Sequence, residues 1–444
     1  LEKDRSNFKT NTSWYNSTPM VQPYYNWMTG AAFAKQDLEL IFPGNKYLKH
    51  NGEVRKWPFD DKNGNLSLYS NNQFGGHKSY HVVGYWKNFF GGYYHDDGYG
   101  FGHWANHDEM PGQKLWLWSQ SDQGRIWEDH LTDTDGQYIE FQAGRQLVQY
   151  REDNTNKNPI RKASFDPYAS DKWTEYWFPV QAIGGISEAS QKGVLNVEPS
   201  LDGNNISIKL HSFIHTKGNI KILTNKKLIF SKEIDFRPME IHTLSVDNPF
   251  IDSLEIVVSD LNLHFDARSN SKLLERPFTL DESVISNMSK SDQEYFKGYE
   301  LLKERFYQEA KDIFEKILLK EPYHLDTRKA MAELYYRSGQ YQKGIEAINP
   351  NLQLNTYDPE SNFIAGNLYR ALGNYLNAKE SFGWSARSMS YRSAAYLEMA
   401  EIYLYEKKFD LAIEYAQKSL MFNQDNMNAR QVMVMAYRLS NDYV

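Results

Sequence analysis

The chain has 444 residues, with 50 Lys and Arg residues against 57 Asp and Glu residues, and its net charge is −7 at neutral pH. This mild acidity argues against nucleic-acid binding, which needs a basic surface to neutralise phosphates. No apolar run approaches the roughly 18 residues of a membrane-spanning helix. The absence of cysteine excludes disulfides, thiolate catalysis and cysteine–zinc sites, and the length predicts two or three domains.

Residues 1–265 have the pattern of β structure. Apolar and polar residues alternate from Ile206 to Leu210 and again from Leu254 to Val258. Turn signals such as Asp202-Gly203-Asn204 separate these runs, and no helix-length amphipathic pattern occurs before residue 285. We therefore predict an all-β architecture of one or two sandwiches.

The most informative stretch runs from Phe89 to Arg145, in the part of the chain that holds most of the tryptophans. It contains FFGGYYH at residues 89–95, GHWANHD at 102–108, PGQKLWLW at 111–118 and QYIEFQAGR at 137–145. Two further motifs are YNSTP at residues 15–19 and WFP at 177–179. Over roughly residues 13–190, these motifs resemble family 5107 of the numbered domains of unknown function, a bacterial family. The resemblance implies a galactose-mutarotase-like β-supersandwich, similar to sugar epimerases and many glycoside hydrolases, with tetratricopeptide repeats behind it.

The family normally has a long segment ahead of the YNSTP motif, with further strands and a motif rich in Gly and His. This chain starts almost at that motif. We therefore expect a partial supersandwich over residues 1–189, which a missing N-terminal segment or another chain completes. The resemblance leaves the compartment open, with the bacterial periplasm or cell surface favoured.

Glu140 is the candidate catalytic residue. It lies in a strand-like run, where Tyr138 and Gln142 share its face and Ile139 takes the other. This polar face is either plain solvent-exposed surface or the floor of a sugar site. In the mutarotase-like fold a Glu on such a strand acts as the base and a His is its partner, so the resemblance implies that Glu140 and His107 are catalytic.

Sugar recognition needs flat aromatic faces and a few polar groups. The predicted substrate-binding residues are His95, His103, Trp104, Trp116, Trp127, Tyr138 and Arg145. The alternative for the tryptophans is a place in the sandwich core. On an extended strand His103 and His107 lie about 13 Å apart, too far for one metal ion, and we predict neither a metal site nor a cofactor.

Three functions are compatible with this pattern: a carbohydrate-active enzyme, a glycan-binding or assembly protein without turnover, and a structural adaptor. A second carboxylate about 5–10 Å from Glu140 indicates a glycoside hydrolase. A Glu with a nearby His and no second acid indicates an epimerase-like domain. An aromatic strip without a carboxylate indicates carbohydrate binding alone.

Residues 190–266 are predicted to form a small β-sandwich, and residues 267–290 a polar linker. Behind them a small residue recurs every 34 positions, at Gly298, Ala332, Gly366 and Ala400. This period is typical of tetratricopeptide repeats, in which small residues let paired helices approach and the copies stack to bury their apolar faces. We predict nine helices, an α-solenoid, over residues 291–444; the alternative is an unrelated helical bundle.

Tetratricopeptide geometry places part of each first helix on the concave face, which binds a protein partner in many members. The predicted partner-binding residues are Tyr295, Tyr299, Lys329, Arg337, Phe363, Asn367 and Arg370. The alternative occupant of this groove is the chain's own β domain. The sequence thus predicts a multidomain β plus α protein with a carbohydrate and a protein as its partners.

Overall fold

The structure, a computed structural model, describes residues 4–132, 135–149, 160–199, 205–247, 251–268, 272–279 and 282–440. The chain divides into two compact units. The first comprises Leu1–Thr12, Tyr25–Ile160 and Trp173–Leu280. The second comprises Ser13–Tyr24, Arg161–Lys172 and Asp281–Val444. Two short segments from the N-terminal half of the chain therefore belong with the C-terminal helices.

The first part of the chain is built from antiparallel strands. They are β1 (Phe8–Tyr15), β2 (Gln22–Pro23), β3 (Trp27–Phe33), β4 (Leu38–Ile41), β5 (Gly44–Leu48), β6 (Val54–Lys56), β7 (Phe59–Asp60), β8 (Gly64–Asn65), β9 (His77–Gly84), β10 (Phe89–Tyr94), β11 (Tyr99–Ala105), β12 (Gly112–Trp118), β13 (Tyr138–Gly144), β14 (Ser164–Phe165) and β15 (Ser170–Gln181). Two larger sheets result, one of five strands in the order β1-β15-β11-β10-β4 and one of six in the order β3-β13-β12-β9-β5-β6.

The two larger sheets form a sandwich with an aromatic interior. The rings of Phe101 on β11 and Phe141 on β13 lie 4.3 Å apart between centroids, and Phe141 also meets Trp177 of β15 at 5.4 Å. Ile139 and Leu115, on the same face as Phe141, are fully buried. Because side chains alternate along a strand, the neighbours of these residues point away from the sandwich interior.

A second β-sandwich follows in the same unit. Its strands are β16 (Glu188–Ala189), β17 (Gly193–Pro199), β18 (Asn205–Ser212), β19 (Thr216–Thr224), β20 (Lys227–Phe236), β21 (Ile241–Asp247), β22 (Leu254–Val258) and β23 (Leu263–Asp266). They form two four-stranded sheets, in the orders β16-β17-β18-β21 and β20-β19-β22-β23. The alternation predicted from Ile206 to Leu210 and from Leu254 to Val258 is confirmed, since the apolar members are buried in the shared core.

The sequence prediction was wrong in placing no helix before residue 285. Helix α1 (Asp122–Leu131) lies between β12 and β13. Its apolar residues Ile126 and Leu131 are exposed. The ring of Trp127 stacks at 4.9 Å on Trp118, so a tertiary contact holds the helix rather than a buried apolar stripe.

The C-terminal part is helical throughout. Its helices are α2 (Glu282–Ser286), α3 (Lys290–Lys303), α4 (Tyr307–Lys320), α5 (Leu325–Arg337), α6 (Tyr341–Leu354), α7 (Pro359–Ala371), α8 (Tyr375–Ser385), α9 (Met389–Tyr405), α10 (Phe409–Phe422) and α11 (Met427–Ser440). Within residues 290–440 this gives the nine helices that the repeat predicts.

The small residues of the repeat lie at close helix contacts, as predicted. A Cβ atom added at Gly298 would come within 2.5 Å of the Phe314 ring, and one at Gly366 within 2.6 Å of the Phe382 ring. Ala332 and Ala400 are fully buried. Larger side chains at these positions would force the paired helices apart.

Candidate functional site

The outward face of the six-stranded sheet carries a dense set of polar and aromatic side chains. In the strand register Trp116 lies opposite Glu140 on one side and Ser79 on the other, and Lys114 lies opposite Gln142 and His81. We call this surface the Glu140 face, and it consists of His77, Ser79, His81, Lys114, Trp116, Trp118, Tyr138, Glu140 and Gln142. Glu140 is the one carboxylate in this set.

An aromatic strip crosses one end of the Glu140 face. Trp116 and Trp118 meet edge to face at 4.6 Å between ring centroids, and Trp118 stacks on Trp127 of α1 at 4.9 Å. His77 stacks on Trp116 at 5.6 Å, and Tyr138 lies 6.0 Å from the same indole. The buried indole nitrogen of Trp118 has no hydrogen-bond partner among the described residues, so the strip retains an unused donor.

A chain of hydrogen bonds links Lys114 to Glu140. The Lys114 ammonium donates to Gln142 Oε1 at 3.2 Å, and Gln142 Nε2 donates to Glu140 Oε2 at 2.5 Å. Lys114 also donates to the side-chain oxygen of Gln149. Burial lowers the pKa of Lys114 to about 8, and the charge of Glu140 opposes that shift. Near neutral pH a fraction of Lys114 is therefore unprotonated and able to accept a proton.

Two histidines fix the edge of this polar cluster. The His81 Nδ1–H donates to the Leu48 carbonyl at 2.8 Å, and its Nε2 accepts the Gln149 amide at 3.1 Å. These partners select one neutral tautomer, in agreement with burial, which holds the pKa of His81 well below its usual range. His50 joins Gln149 to the sheet, with Nδ1 2.5 Å from the Gln149 carbonyl and Nε2 2.8 Å from Ser79 Oγ.

Of the predicted site residues, the structure brings Trp116, Trp127 and Tyr138 to Glu140, but not His103 or Trp104. His103 lies on β11, in the other sheet, and points into the sandwich interior. Its Nε2 is 2.8 Å from Glu175 Oε2, and both side chains are buried. Trp104 takes the opposite face of β11, where it packs against the cluster of Phe89 and neighbouring residues. Neither can share a ligand with Glu140, because the sandwich interior separates them.

His107 and Arg145 do not join Glu140 either, but line a separate cavity of about 330 Å³. We call it the Trp86 cavity and define it by Trp86, His107, Gln113, Arg145, Arg276 and Phe278. His95 lies apart from both sites, where its Nε2 pairs with Glu39 Oε2 at 2.8 Å on an exposed edge. The predicted pairing of Glu140 with His107 or His103 is thus not present in this structure.

Two sets of groups near Glu140 were not predicted from the sequence: Lys114 and the histidines of β9. A usable signal was present. Lys114 has the same parity as Trp116 and Trp118 on one strand, and His77 and His81 have the same parity on another. Those facts place each set on one face, but only the strand pairing reveals that the two faces coincide.

In the second unit, several of the predicted partner-binding residues contact segments of this same chain. Arg337 donates to the Val21 carbonyl at 2.6 Å. Phe363 and Asn367 line a small cavity together with Met20 and Pro167. Segment Ser13–Tyr24 and segment Arg161–Lys172 therefore supply groups to the predicted repeat groove.

Arg370 belongs to a buried polar cluster that includes Tyr168 of the second segment. It pairs with Glu398 and, at 2.5 Å, with Glu401. The Tyr168 hydroxyl donates to Glu398 Oε1 at 2.6 Å, and its main-chain carbonyl accepts from Asn423 at 2.8 Å. This tyrosine is a full member of the helical core.

The remaining predicted groove residues, Lys329, Tyr295 and Tyr299, have contacts within the helical unit. Lys329 pairs with Glu360 at 2.6 Å and with Asp326 at 2.8 Å. Tyr295 and Tyr299 stack at 5.6 Å.

The described residues contain no candidate for a membrane-spanning helix or for a metal-binding cluster. Among the described residues no helix combines the length and apolar character needed to cross a bilayer. Within the same residues, no group of three or more His, Asp and Glu side chains is arranged to hold a metal ion.

Several solved structures are similar to this chain. A TPR-domain-containing protein from Parabacteroides distasonis is 14% identical over 97% of this chain and 69% of its own length, with a TM-score of 0.36. Pseudomonas aeruginosa pilF is 20% identical over 34% of this chain and 70% of its own, with a TM-score of 0.33. A thermophilic TPR protein of Thermus thermophilus is 17% identical over 35% and 86%, with a TM-score of 0.30.

A family match covers the N-terminal part of the chain. Residues 1–180 match the family described as a domain of unknown function, DUF5107. This range contains both larger sheets apart from the last residue of β15, and with them the whole Glu140 face. Residues 1–180 are therefore similar to the DUF5107 family, and the stacked helices α3–α11, which carry the 34-residue period, follow them.

Proposed function

We propose that the DUF5107 domain binds a carbohydrate on the Glu140 face, as the resemblance to mutarotase-like domains implies. The observation that carries this proposal is the aromatic strip of Trp116, Trp118 and Trp127 beside the hydrogen-bonded chain from Lys114 to Glu140. Flat rings stack on the C–H faces of sugars, and the adjoining polar groups select hydroxyls.

The polar chain supports acid–base chemistry on the bound sugar. Glu140 is the proposed base, and Lys114 replaces His107 as its proposed proton partner, because it is linked to Glu140 through Gln142. A base must lie within hydrogen-bond reach of the proton that it removes. Glu140 lies opposite Trp116 in the register, so a sugar stacked on that indole would place a hydroxyl or ring C–H beside the carboxylate.

Between the enzymatic alternatives, the Glu140 face favours an epimerase-like reaction over hydrolysis. Glycoside hydrolysis normally uses two carboxyl groups that flank the scissile bond. Glu140 is the one carboxylate of the face, which also holds the buried amine of Lys114 and the neutral imidazole of His81. Binding without turnover is the second candidate, favoured by the hydrogen bond that already occupies Glu140 Oε2.

Glycan-array screening of the full chain, followed by calorimetric titration of the best ligand, tests this proposal. We expect Trp116→Ala to weaken binding at least about tenfold, or about 1.4 kcal/mol, through loss of the stacking face. Phe59→Ala is the matched control, because Phe59 is an exposed aromatic residue outside the face and its loss should leave affinity unchanged. If no glycan binds, or if both variants behave alike, the proposal is wrong.

Glu140→Gln separates the two candidates, since it keeps the shape and removes the charge. An acid–base role predicts that this variant still binds the ligand but no longer exchanges its protons with solvent or inverts its stereocentres. NMR in deuterated water follows both processes. Wild-type protein that binds the glycan, exchanges no C–H proton and does not speed the interconversion of its anomers or epimers would establish binding alone.

For the helical scaffold, we propose that the concave face recognises segments Ser13–Tyr24 and Arg161–Lys172 of this chain. The supporting contacts are the bonds of Arg337 to Val21 and of Tyr168 to Glu398. The two segments offer a main-chain carbonyl and a tyrosine hydroxyl to side chains of the helices. A separate protein partner would then use another surface of the repeats or compete with these segments.

A further inference from the structure

The Trp86 cavity lies in the first unit and is distinct from the Glu140 face. Val82 and Gln113, which line it, lie on β9 and β12 with the opposite parity to His81 and Lys114, so they face the interior of the sandwich rather than its outside. Residues of the predicted linker close one side, where Leu274 donates its amide to the Gly84 carbonyl at 2.7 Å and Phe278 is buried. Its volume of about 330 Å³ suits a small molecule.

One wall of the cavity is aromatic and is formed by two rings tilted by 45° to each other. The rings of Trp86 and His107 lie 4.6 Å apart between centroids. Trp86 is 59% exposed, which is unusual for an indole and leaves a face available for stacking. Together with Phe278 and Leu274, this wall would cover the apolar side of a ring.

Two hydrogen-bond acceptors line the cavity. Gln113 is 5% exposed and donates through Nε2 to the Lys87 carbonyl at 3.1 Å, but its Oε1 has no partner among the described residues. His107 Nδ1 lies 3.2 Å from the same carbonyl and must donate to it, so the neutral ring has an acceptor at Nε2. Burial lowers the pKa of His107, which favours this neutral form. A buried acceptor without a partner is costly, and a ligand hydroxyl would satisfy it.

The charge of the lining favours an anion. Arg145 and Arg276 both line the cavity, against Glu275 as the one carboxylate among its lining residues. Arg145 donates to the Glu109 carbonyl and lies 5.2 Å above the Trp173 ring, and these contacts hold its guanidinium in place. Arg276 is exposed at the cavity, and its planar guanidinium group can rotate to form two parallel hydrogen bonds with a ligand carboxylate.

We propose that the Trp86 cavity binds a small hydroxylated carboxylic acid of about monosaccharide size, with its ring on Trp86, its carboxylate at Arg276 and its hydroxyls on Gln113 and His107. Uronic acids have this chemistry. The neutral hexose of the same ring is the natural comparison, because it differs from the uronic acid only in the charged group.

Calorimetric titration with glucuronate and with glucose tests the proposal on the full chain. We expect glucuronate to bind with a dissociation constant of about 1 mM or tighter, and glucose at least about tenfold more weakly. Arg276→Met keeps the length of the side chain and should abolish the preference for glucuronate. Arg237→Met removes an exposed arginine of the second β-sandwich, which does not line the cavity, and should change nothing.

Trp86→Ala should weaken the binding of both sugars. Because Trp86 is 59% exposed, the variant should fold normally, and unchanged thermal unfolding checks this. The proposal is overturned if glucuronate does not bind, if it binds no better than glucose, or if Arg276→Met has no effect. Trp116→Ala, which removes the stacking surface of the Glu140 face, should leave glucuronate binding intact. Loss of binding in that variant would place the ligand on the Glu140 face instead and also overturn the cavity assignment.

Discussion

Two buried charged clusters of this chain differ in how completely their charges are paired. In the helical unit, Glu398 is fully buried and contacts Arg370 and the Tyr168 hydroxyl, while Arg370 also pairs with Glu401. On the Glu140 face, Lys114 is 2% exposed and its ammonium donates to the neutral amide oxygens of Gln142 and Gln149. The first cluster neutralises its charges by direct contact, and the second does not.

The difference separates a structural cluster from a functional candidate. In the helical cluster direct contact with Arg370 opposes the effect of burial, which raises the pKa of Glu398. A buried lysine without a direct carboxylate partner loses protons more easily, which is reflected in its pKa of about 8. Groups with shifted pKa values in polar, aromatic surroundings are typical of functional sites.

The largest effect is expected from Arg370→Met. The substitution leaves the Glu398 carboxylate buried without its cationic partner, and removal of one member of a buried pair costs about 3–5 kcal/mol. Denaturant unfolding followed by far-UV circular dichroism measures the loss. Lys418→Met is the control, since the exposed pair of Lys418 and Glu414 should contribute less than about 1 kcal/mol. Equal losses in the two variants would contradict a structural role for the cluster.

Tyr168→Phe is expected to have a smaller effect, about 1–3 kcal/mol on the free energy of unfolding. It removes the hydroxyl that donates to Glu398 at 2.6 Å while keeping the buried ring. Tyr357→Phe is the matched control, because Tyr357 is 68% exposed and its hydroxyl should contribute little. A stability equal to that of the wild type would show that segment Arg161–Lys172 does not depend on this bond for its place in the helical unit.

Lys114→Met should change the pH dependence of stability more than its value at one pH. The folded-state pKa of Lys114 is lowered from 10.5 to about 8. Between these values the unfolded chain keeps a proton that the folded chain has lost, so this lysine makes stability rise with pH by at most about 1.4 kcal/mol per pH unit. The variant should lack that contribution.

The measurement is the difference in unfolding free energy between wild type and variant across this range, with exposed Lys46→Met as the control. Below pH 8 the buried charge destabilises the folded state, so Lys114→Met should be at least as stable as the wild type there. A difference that does not vary with pH would mean that Lys114 keeps an ordinary pKa and would remove it from the proposed acid–base pair.

The repeats show which contacts a local sequence pattern can predict. Gly298, Ala332, Gly366 and Ala400 could be predicted at close helix contacts because a repeat packs mainly against its neighbours in sequence. The same locality could not reveal Tyr168, which reaches the buried Glu398 from 230 positions away along the chain. A single tyrosine in a β-rich stretch has no periodicity that points to a helical core.

The candidate site shows the opposite case. Strand parity correctly put Tyr138, Glu140 and Gln142 on one face, but the expected histidine partners came from motifs adjacent in sequence. His103 belongs to a strand of the other sheet, and His107 lies at the Trp86 cavity. The histidines of β9 are brought to the face by its pairing with β12, which no spacing in the sequence encodes.

By itself the sequence determined the classes of structure: alternating runs that form antiparallel strands, and a 34-residue period that forms stacked helix pairs. Each depends on residues a few positions apart, whose geometry the backbone period sets. The tertiary structure alone decided that Lys114 meets Glu140 through Gln142 and that Tyr168 joins the helices. Those contacts arise because distant segments must bury their surfaces and satisfy their polar groups together, and that requirement leaves no local trace in the chain.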